Sequence, residues 1–193
     1  MIKNDSKSMH KPQSFSENEL ISRCKSGEIK FQEKLYKHFY GYAMGVGMRY
    51  LQNKDDVLEV VNDSFIKVFK AISFYDENQP FKAWLRRIIV NTSIDHRRRN
   101  LKHMNQEDID EAIYIGKAPE AVENINAKDI LKLLNYLPEI QKTVFNLYEI
   151  DGYSHDEIGN MLSIPVSSSR VYLSRAKEKL RKHWNHQEGS YAR

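Results

Sequence analysis

The stretch VLEVVNDSFIKVFKAI, residues 57–72, most constrains how this chain can fold. Its apolar residues Val57, Val60, Val61, Phe65, Val68, Phe69 and Ile72 recur at i, i+3 and i+4, the spacing of one face of an α-helix. Asn53, Asp55 or Asp56 can cap its start with a side-chain oxygen. The same period returns in PFKAWLRRIIVNTSIDHRRR through Leu85, Ile88, Ile89 and Thr92, with Pro80 at the entrance. FQEKLYKHFYGYAMGVGMRYL is a third helical stretch. Gly and Pro are scarce, and no β-type alternation competes, so the expected fold class is all-α. Gly41 and Gly45, four residues apart, are expected to let two helices approach closely.

Periodicity fades between Asn100 and Asn126. That stretch carries Glu107, Asp108, Asp110, Glu111, Glu120 and Glu123 together with Gly116 and Pro119, and reads as a linker. The helical pattern returns in DILKLLNYL, stops at Pro138 and resumes in EIQKTVFNLYEI, which Asp151-Gly152 ends. The expected organisation is two small helical domains joined by a flexible acidic linker. A disordered tail covers 1–14, the N-terminal domain 15–100, the linker 101–127, the C-terminal domain 128–185 and a second tail 186–193.

The C-terminal domain contains a helix–turn–helix. Ser154 and Glu157 form an S-x-x-E capping box, which starts a helix with Ile158, Met161 and Leu162 on its apolar face. Gly159 leaves room for a close helix crossing. Pro165 disfavours helical geometry at Ile164, so the helix breaks at 163–165. Ser167 or Ser168 can cap the next helix. Val171, Ala176 and Leu180 are expected to point inward, leaving Ser169, Arg170, Tyr172, Leu173, Arg175 and Lys179 more exposed. In such a motif the second helix enters the major groove, N-terminal residues toward the bases. Hydroxyls and free N–H groups at its start hold phosphates, and arginine reads guanine edges or holds phosphates. These properties explain three consecutive serines ahead of a basic helix.

A second candidate surface lies on 80–99. Lys82, Arg86 and Arg87 share a helix with Arg97, Arg98 and Arg99, while Trp84, Asn91 and Asp95 recur at roughly helical spacing. Basic residues with an interleaved aromatic suit unstacked bases of a single strand. Cations at a helix C-terminus also complement its dipole, and Trp84 is equally suited to a core. On 57–72, Glu59, Asn62 and Asp63 fall at i, i+3 and i+4 opposite Val57, Val61 and Phe65. They form either a solvated acidic face or a docking surface.

Several classes fall away. Cys24 is the single cysteine, so no internal disulfide forms. No apolar run is long enough to span a bilayer, and the N-terminus lacks the apolar stretch of a signal peptide, so a cytoplasmic protein is expected. There is no G-x-S-x-G, no H-E-x-x-H and no metal-spaced Cys/His cluster. No catalytic residue, cofactor or metal is expected. His183 and His186 read as solvent-exposed side chains near a frayed terminus. A stand-alone helix–turn–helix regulator would need a dimerisation or ligand-sensing domain, and the N-terminal half offers no such signature.

These segments resemble, in order, those of an extracytoplasmic-function sigma factor, the smallest class of the primary-type bacterial sigma family. DDVLEVVNDSFIKVF resembles the family's core-polymerase-binding helix, and PFKAWLRRIIVNTSIDHRRR its helices that melt and read the −10 promoter element. LPEIQKTVFNLYEIDGYSHDEIGNMLSIPVSSSRVYLSRAKEKL resembles the domain that reads the −35 element. The resemblance covers about 15–100 and 128–183. It implies a factor that binds core RNA polymerase through its β′ and β subunits and directs initiation. Asp56, Glu59, Asn62 and Asp63 would face polymerase. Lys82, Trp84, Arg87, Asn91, Asp95, Arg97 and Arg98 would face the melted strand. Ser167, Ser168, Ser169, Arg170, Tyr172, Leu173, Arg175 and Lys179 would face the −35 duplex. An anti-sigma factor is an implied partner, and stable membrane insertion is not. The chain departs from the family at Gly159, where alanine is more usual, at Ser168, where threonine often follows a glycine, and at Asn62, where glutamine is common.

Overall fold

The computed structural model describes residues 15–103 and 133–191, and among these every regular element is helical. Helix α1 (Glu17–Lys25) starts at Ser16, whose hydroxyl oxygen accepts from the Glu19 N–H at 3.2 Å. Helix α2 spans Ile29–Gly47. Helix α3 (Lys54–Ala71) is capped by Asn53, which accepts from the Asp55 N–H at 2.9 Å, and runs into a 3₁₀ turn at Ile72–Phe74. Helix α4 (Phe81–His103) opens with the Pro80 carbonyl accepting from the Ala83 N–H. In the second half, α5 (Glu139–Phe145) widens into a π-helical turn over Asn146–Ile150. Helices α6 (His155–Leu162) and α7 (Val166–Tyr191) follow. Helix α7 passes through the segment expected to be a tail from 186. The expected tail 1–14 and most of the expected linker lie outside the described residues.

The period-3.6 stripes build the core of the first half. Phe39 on α2, Phe65 on α3, and Phe81, Leu85 and Ile89 on α4 are all buried where the three helices meet. The close approach lies elsewhere than at Gly41 and Gly45, where an added Cβ would meet nothing within 4 Å. It lies at Gly47, where a Cβ would stand 2.9 Å from Cγ1 of Val57. Val57 is buried and β-branched, so it has little freedom to move aside. Gly47→Ala is therefore expected to lower stability by about 1–3 kcal/mol, the usual cost of an overpacked core, despite alanine's better helix propensity. Chemical denaturation measures this, and a Val57→Ala background should remove most of the penalty.

The second half is not a separate bead. Leu134, Leu137 and Ala176 form a small core of their own. Val144, Leu147, Ile158 and Leu173 instead join the same buried cluster as the residues of α1–α4. Polar contacts reinforce this seam. The Asn146 amide donates to the Arg49 carbonyl at 2.7 Å, and Arg97 pairs with Glu139 at 2.9 Å and donates to the Thr143 hydroxyl. Gly152, at φ +77°, provides the left-handed turn that ends the π-helical segment, as Asp151-Gly152 implies from sequence. The Asp151 side chain does more than shape that turn. It is 1% exposed and reaches Arg49 at 3.2 Å and Arg86 at 3.5 Å, and it accepts from the Tyr50 hydroxyl.

Candidate nucleic-acid interface

The helix–turn–helix forms as its residue chemistry requires. Ser154 accepts from the Glu157 N–H at 3.2 Å, and the Glu157 carboxylate accepts from the Ser154 N–H at 2.8 Å, completing the capping box. These bonds to the charged form hold the Glu157 carboxyl below its usual range. Helix α6 ends at Ser163 in the left-handed region, φ +56°, and the chain turns so tightly that the Ile164 N–H bonds the Gly159 carbonyl. A Cβ on Gly159 would lie 3.0 Å from the Ile164 carbonyl oxygen. Glycine here therefore serves the turn itself rather than a separate helix crossing.

Helix α7 starts one residue before the serines, at Val166, so Ser167 and Ser168 lie in its first turn instead of capping it. Its inward face also differs from the expected one. Ser169 and Ala176 are fully buried and Leu173 is 7% exposed, whereas Val171 is 46% exposed. The inward positions are thus 169, 173, 176 and 180, the i, i+4, i+7, i+11 stripe. The sequence places Val171 inside and Ser169 and Leu173 outside, because a β-branched residue and a serine give misleading cues over so short a stretch of helix. Ser169 is satisfied internally, its hydroxyl 2.9 Å from Nδ1 of His155. Ser167, Arg170, Arg175 and Lys179 are exposed, and Ser168 and Tyr172 are half-buried. Ser169 and Leu173 consequently drop out of the candidate DNA-facing set.

On α4 the candidates divide. Lys82, Arg87, Asn91 and Asp95 are exposed. Asp95 lies 3.8 Å from Arg98, and the Lys82 ammonium sits 5.9 Å from the Tyr42 ring centroid. Trp84 is half-buried, its ring tilted against Tyr75 at 5.1 Å and Phe81 at 5.6 Å. Arg97 is mostly covered by Glu139 and Thr143, and Arg98 donates to the Met161 carbonyl. Burial lowers the Arg97 guanidinium's proton affinity, while the Glu139 carboxylate opposes that effect.

The acidic face of α3 is open but tethered. The Glu59 side chain is 58% exposed, those of Asp56 and Asp63 somewhat less. Asn62 is exposed and accepts from the Tyr36 hydroxyl at 2.9 Å. Buried His96 lies between two of these acids, 3.7 Å from Asp56 and 3.6 Å from Glu59, with the Asn100 amide 3.1 Å from its Nε2. Arg99 lies 3.9 Å from Asp63. The basic end of α4 therefore runs along the acids of α3. Neither His96 nor Arg49 stands out in the sequence as part of a site. The i, i+4 step from Thr92 to His96 along the α4 apolar stripe is the signal that would have found the first. His183, expected to be solvent-exposed, is half-buried and packs tilted against Tyr136, ring centroids 3.8 Å apart. Among the described residues no group of three or more His, Cys, Asp or Glu could hold a metal ion, and no helix is long and apolar enough to cross a membrane.

Two family models match this arrangement in order. Residues 35–102 match sigma-70 region 2, and residues 127–180 match sigma-70, region 4. The first holds α3 and α4, and the second holds the helix–turn–helix. The chain belongs to the sigma-70 family. Among curated relatives it is 26% identical over 171 residues to the ECF RNA polymerase sigma-E factor of Haemophilus influenzae, covering 82% of this chain and 90% of that protein. It is 25% identical over 178 residues to the RNA polymerase sigma-H factor of Pseudomonas aeruginosa, covering 86% and 92%. The solved sigma factor RpoE of Bartonella quintana, in a co-crystal with the anti-sigma factor NepR, shares the fold. Its TM-score is 0.50 at 18% identity, over 78% of this chain and 94% of that one. Within the family this chain is an extracytoplasmic-function sigma factor, which binds core RNA polymerase and directs promoter-specific initiation.

Proposed function

We propose that the chain divides this task among three surfaces. The acidic face of α3, with Asp56, Glu59, Asn62 and Asp63, docks on the coiled coil of the polymerase β′ subunit. Lys82, Trp84, Arg87, Asn91, Asp95, Arg97 and Arg98 on α4 hold and read the melted −10 strand. Ser167, Ser168, Arg170, Tyr172, Arg175 and Lys179 on α7 read the −35 duplex. The segment between the two domains, expected at 101–127, threads the polymerase near its β subunit. The protein works in the cytoplasm, is held in reserve by an anti-sigma factor, and supplies no catalysis of its own.

The observation that carries this reading is the placement of α3 and α4. Glu59 and Asp63 on α3 adjoin His96 and Arg99 at the basic end of α4, while Asn91 and Asp95 remain exposed on α4 itself. One rigid helix pair thus presents an acidic protein-docking edge and a mixed polar strand-binding edge. Charge reversal in Glu59→Lys/Asp63→Lys is expected to weaken core-polymerase binding at least about tenfold, or about 1.4 kcal/mol, with native circular dichroism. Run-off transcription from a promoter library should fall in parallel. Unchanged binding by this folded double variant would remove α3 from the polymerase interface.

A further inference from the structure

The Tyr36 hydroxyl, on α2, donates to Oδ1 of Asn62, on α3, at 2.9 Å. Asn62 is exposed and Tyr36 half-buried, so the bond lies at the rim where the two helices meet. We infer that Tyr36 is a positioning residue of the α3 docking face: it holds the Asn62 carboxamide with its oxygen turned toward α2, so that the NH2 group is presented to an acceptor oxygen, a carbonyl or a carboxylate, on core RNA polymerase. This rests on the proposed role of α3 and adds to it a residue from another helix and the chemistry of the group it meets.

The phenol can fix its partner because it is itself fixed. Its ring packs tilted against Phe65 at 4.7 Å and Tyr40 at 5.6 Å, and Phe65 is buried. Burial, and next the neighbouring Tyr40, hold the phenol above its usual range, so it keeps its proton and remains a donor at neutral pH. The asparagine has no such restraint of its own. The last torsion of an exposed asparagine is broad, so its oxygen and its NH2 group exchange places freely. Its carboxamide carries two donors on nitrogen and an acceptor on oxygen. With Oδ1 engaged by Tyr36, the donors on Nδ2 are left for a partner outside the helix pair.

The surroundings of Asn62 fit a protein partner better than bulk water. Leu58 and Ile66 lie one turn before and one turn after it on the same face of α3, and they are 38% and 51% exposed. A solvated helix face would carry polar side chains at these two positions. Glu59 and Asp63 edge the same strip, and their carboxylates call for cations opposite them. The complementary surface is therefore apolar along its middle, basic at its edge, and interrupted by one acceptor oxygen. Seating two apolar side chains excludes water from the amide between them, and a polar contact sheltered in this way is the kind that counts most in an interface. Ordering a freely turning amide at the moment of binding costs affinity. Tyr36 removes that cost in advance.

The test is a double-mutant cycle on the full chain: wild type, Tyr36→Phe, Asn62→Ala and Tyr36→Phe/Asn62→Ala, with Asn62→Leu beside them. Each competes with fluorescein-labelled wild-type protein for core RNA polymerase, and circular dichroism reads the helices. Tyr36→Phe keeps the ring and loses only the hydroxyl, so it should keep native helical content and bind about three- to tenfold more weakly. Asn62→Ala should bind at least as weakly, and Tyr36→Phe added to it should cost nothing further. Asn62→Leu, which keeps the volume and extends the apolar strip without an NH2 group, should bind no better than Asn62→Ala. Wild-type affinity in Asn62→Ala takes Asn62 out of the interface, and both the inference and that part of the docking reading fall. A weak Asn62→Ala beside a Tyr36→Phe of wild-type affinity overturns the positioning role alone and leaves the docking face standing. An equal loss from Tyr36→Phe in both backgrounds makes Tyr36 act independently of Asn62 and likewise overturns it. Wild-type affinity in Asn62→Leu overturns the part given to the NH2 group.

Discussion

Lys142→Met is expected to raise the stability of the protein at neutral pH by on the order of 3 kcal/mol. Lys142 is 4% exposed on α5, and its ammonium donates to Asn135 at 2.7 Å. Burial pushes its pKa down to about 8, with Arg97 adding to the effect and the Glu139 carboxylate opposing it. The unfolded chain holds that proton up to about 10.5. Between about 8 and 10.5 the unfolded state therefore binds more protons than the folded state, and stability rises with pH across that window. Below about 8 the ammonium is charged in both states, and the full cost of burying it is present. Methionine matches the stem without the charge, so it removes both the cost and the pH slope. Urea denaturation of both proteins from pH 7 to 10 measures this. The difference curve should shrink toward the alkaline end, and a variant no more stable than wild type at pH 7 would show that Lys142 is already well solvated.

That lysine belongs to the part of the fold whose burial is not written in apolar periodicity. The helices of the first half were legible because their stripes are apolar: Val57, Val60, Val61, Phe65 and Val68 are all buried, as their spacing requires. Helix α5 and the π-helical turn after it bury Gln141, Lys142, Thr143 and Asn146, four polar residues that periodicity assigns to solvent. Two of them are held by groups distant in sequence: Thr143 accepts from Arg97, and Asn146 donates to the Arg49 carbonyl. The polar contacts that reinforce the seam leave no hydrophobic signature. The same reason hid Asp151, whose pairing with the following glycine announces a turn and nothing more. The candidate site was legible by composition and order, through the capping box, the arginine run and the acids of α3. Which arginines are free, and which are occupied within the molecule, depended on tertiary contacts.

The recognition helix yields the second large effect, and it follows from the corrected inward face. Leu173→Ala is expected to destabilise the protein by about 2–5 kcal/mol, because it removes a buried branched side chain from a packed cluster. Any loss of −35 binding should then track loss of fold and be recovered at lower temperature. Arg170→Ala should do the opposite. The side chain is exposed near the start of α7, so stability should change little. A lost bidentate base contact costs about 1–3 kcal/mol of discrimination at one base pair and leaves the other positions unchanged. Arg175, more than one turn further along and also exposed, is placed to hold phosphate. Arg175→Ala should weaken all duplex variants alike and make the log–log salt slope shallower by about one. Thermal melts paired with binding to a set of −35 duplexes over a salt series separate the three outcomes. A Leu173→Ala protein that melts like wild type but loses base preference would put position 173 on the DNA side. The helix would then be rotated by about one residue from the face bearing Ser169, Leu173 and Ala176.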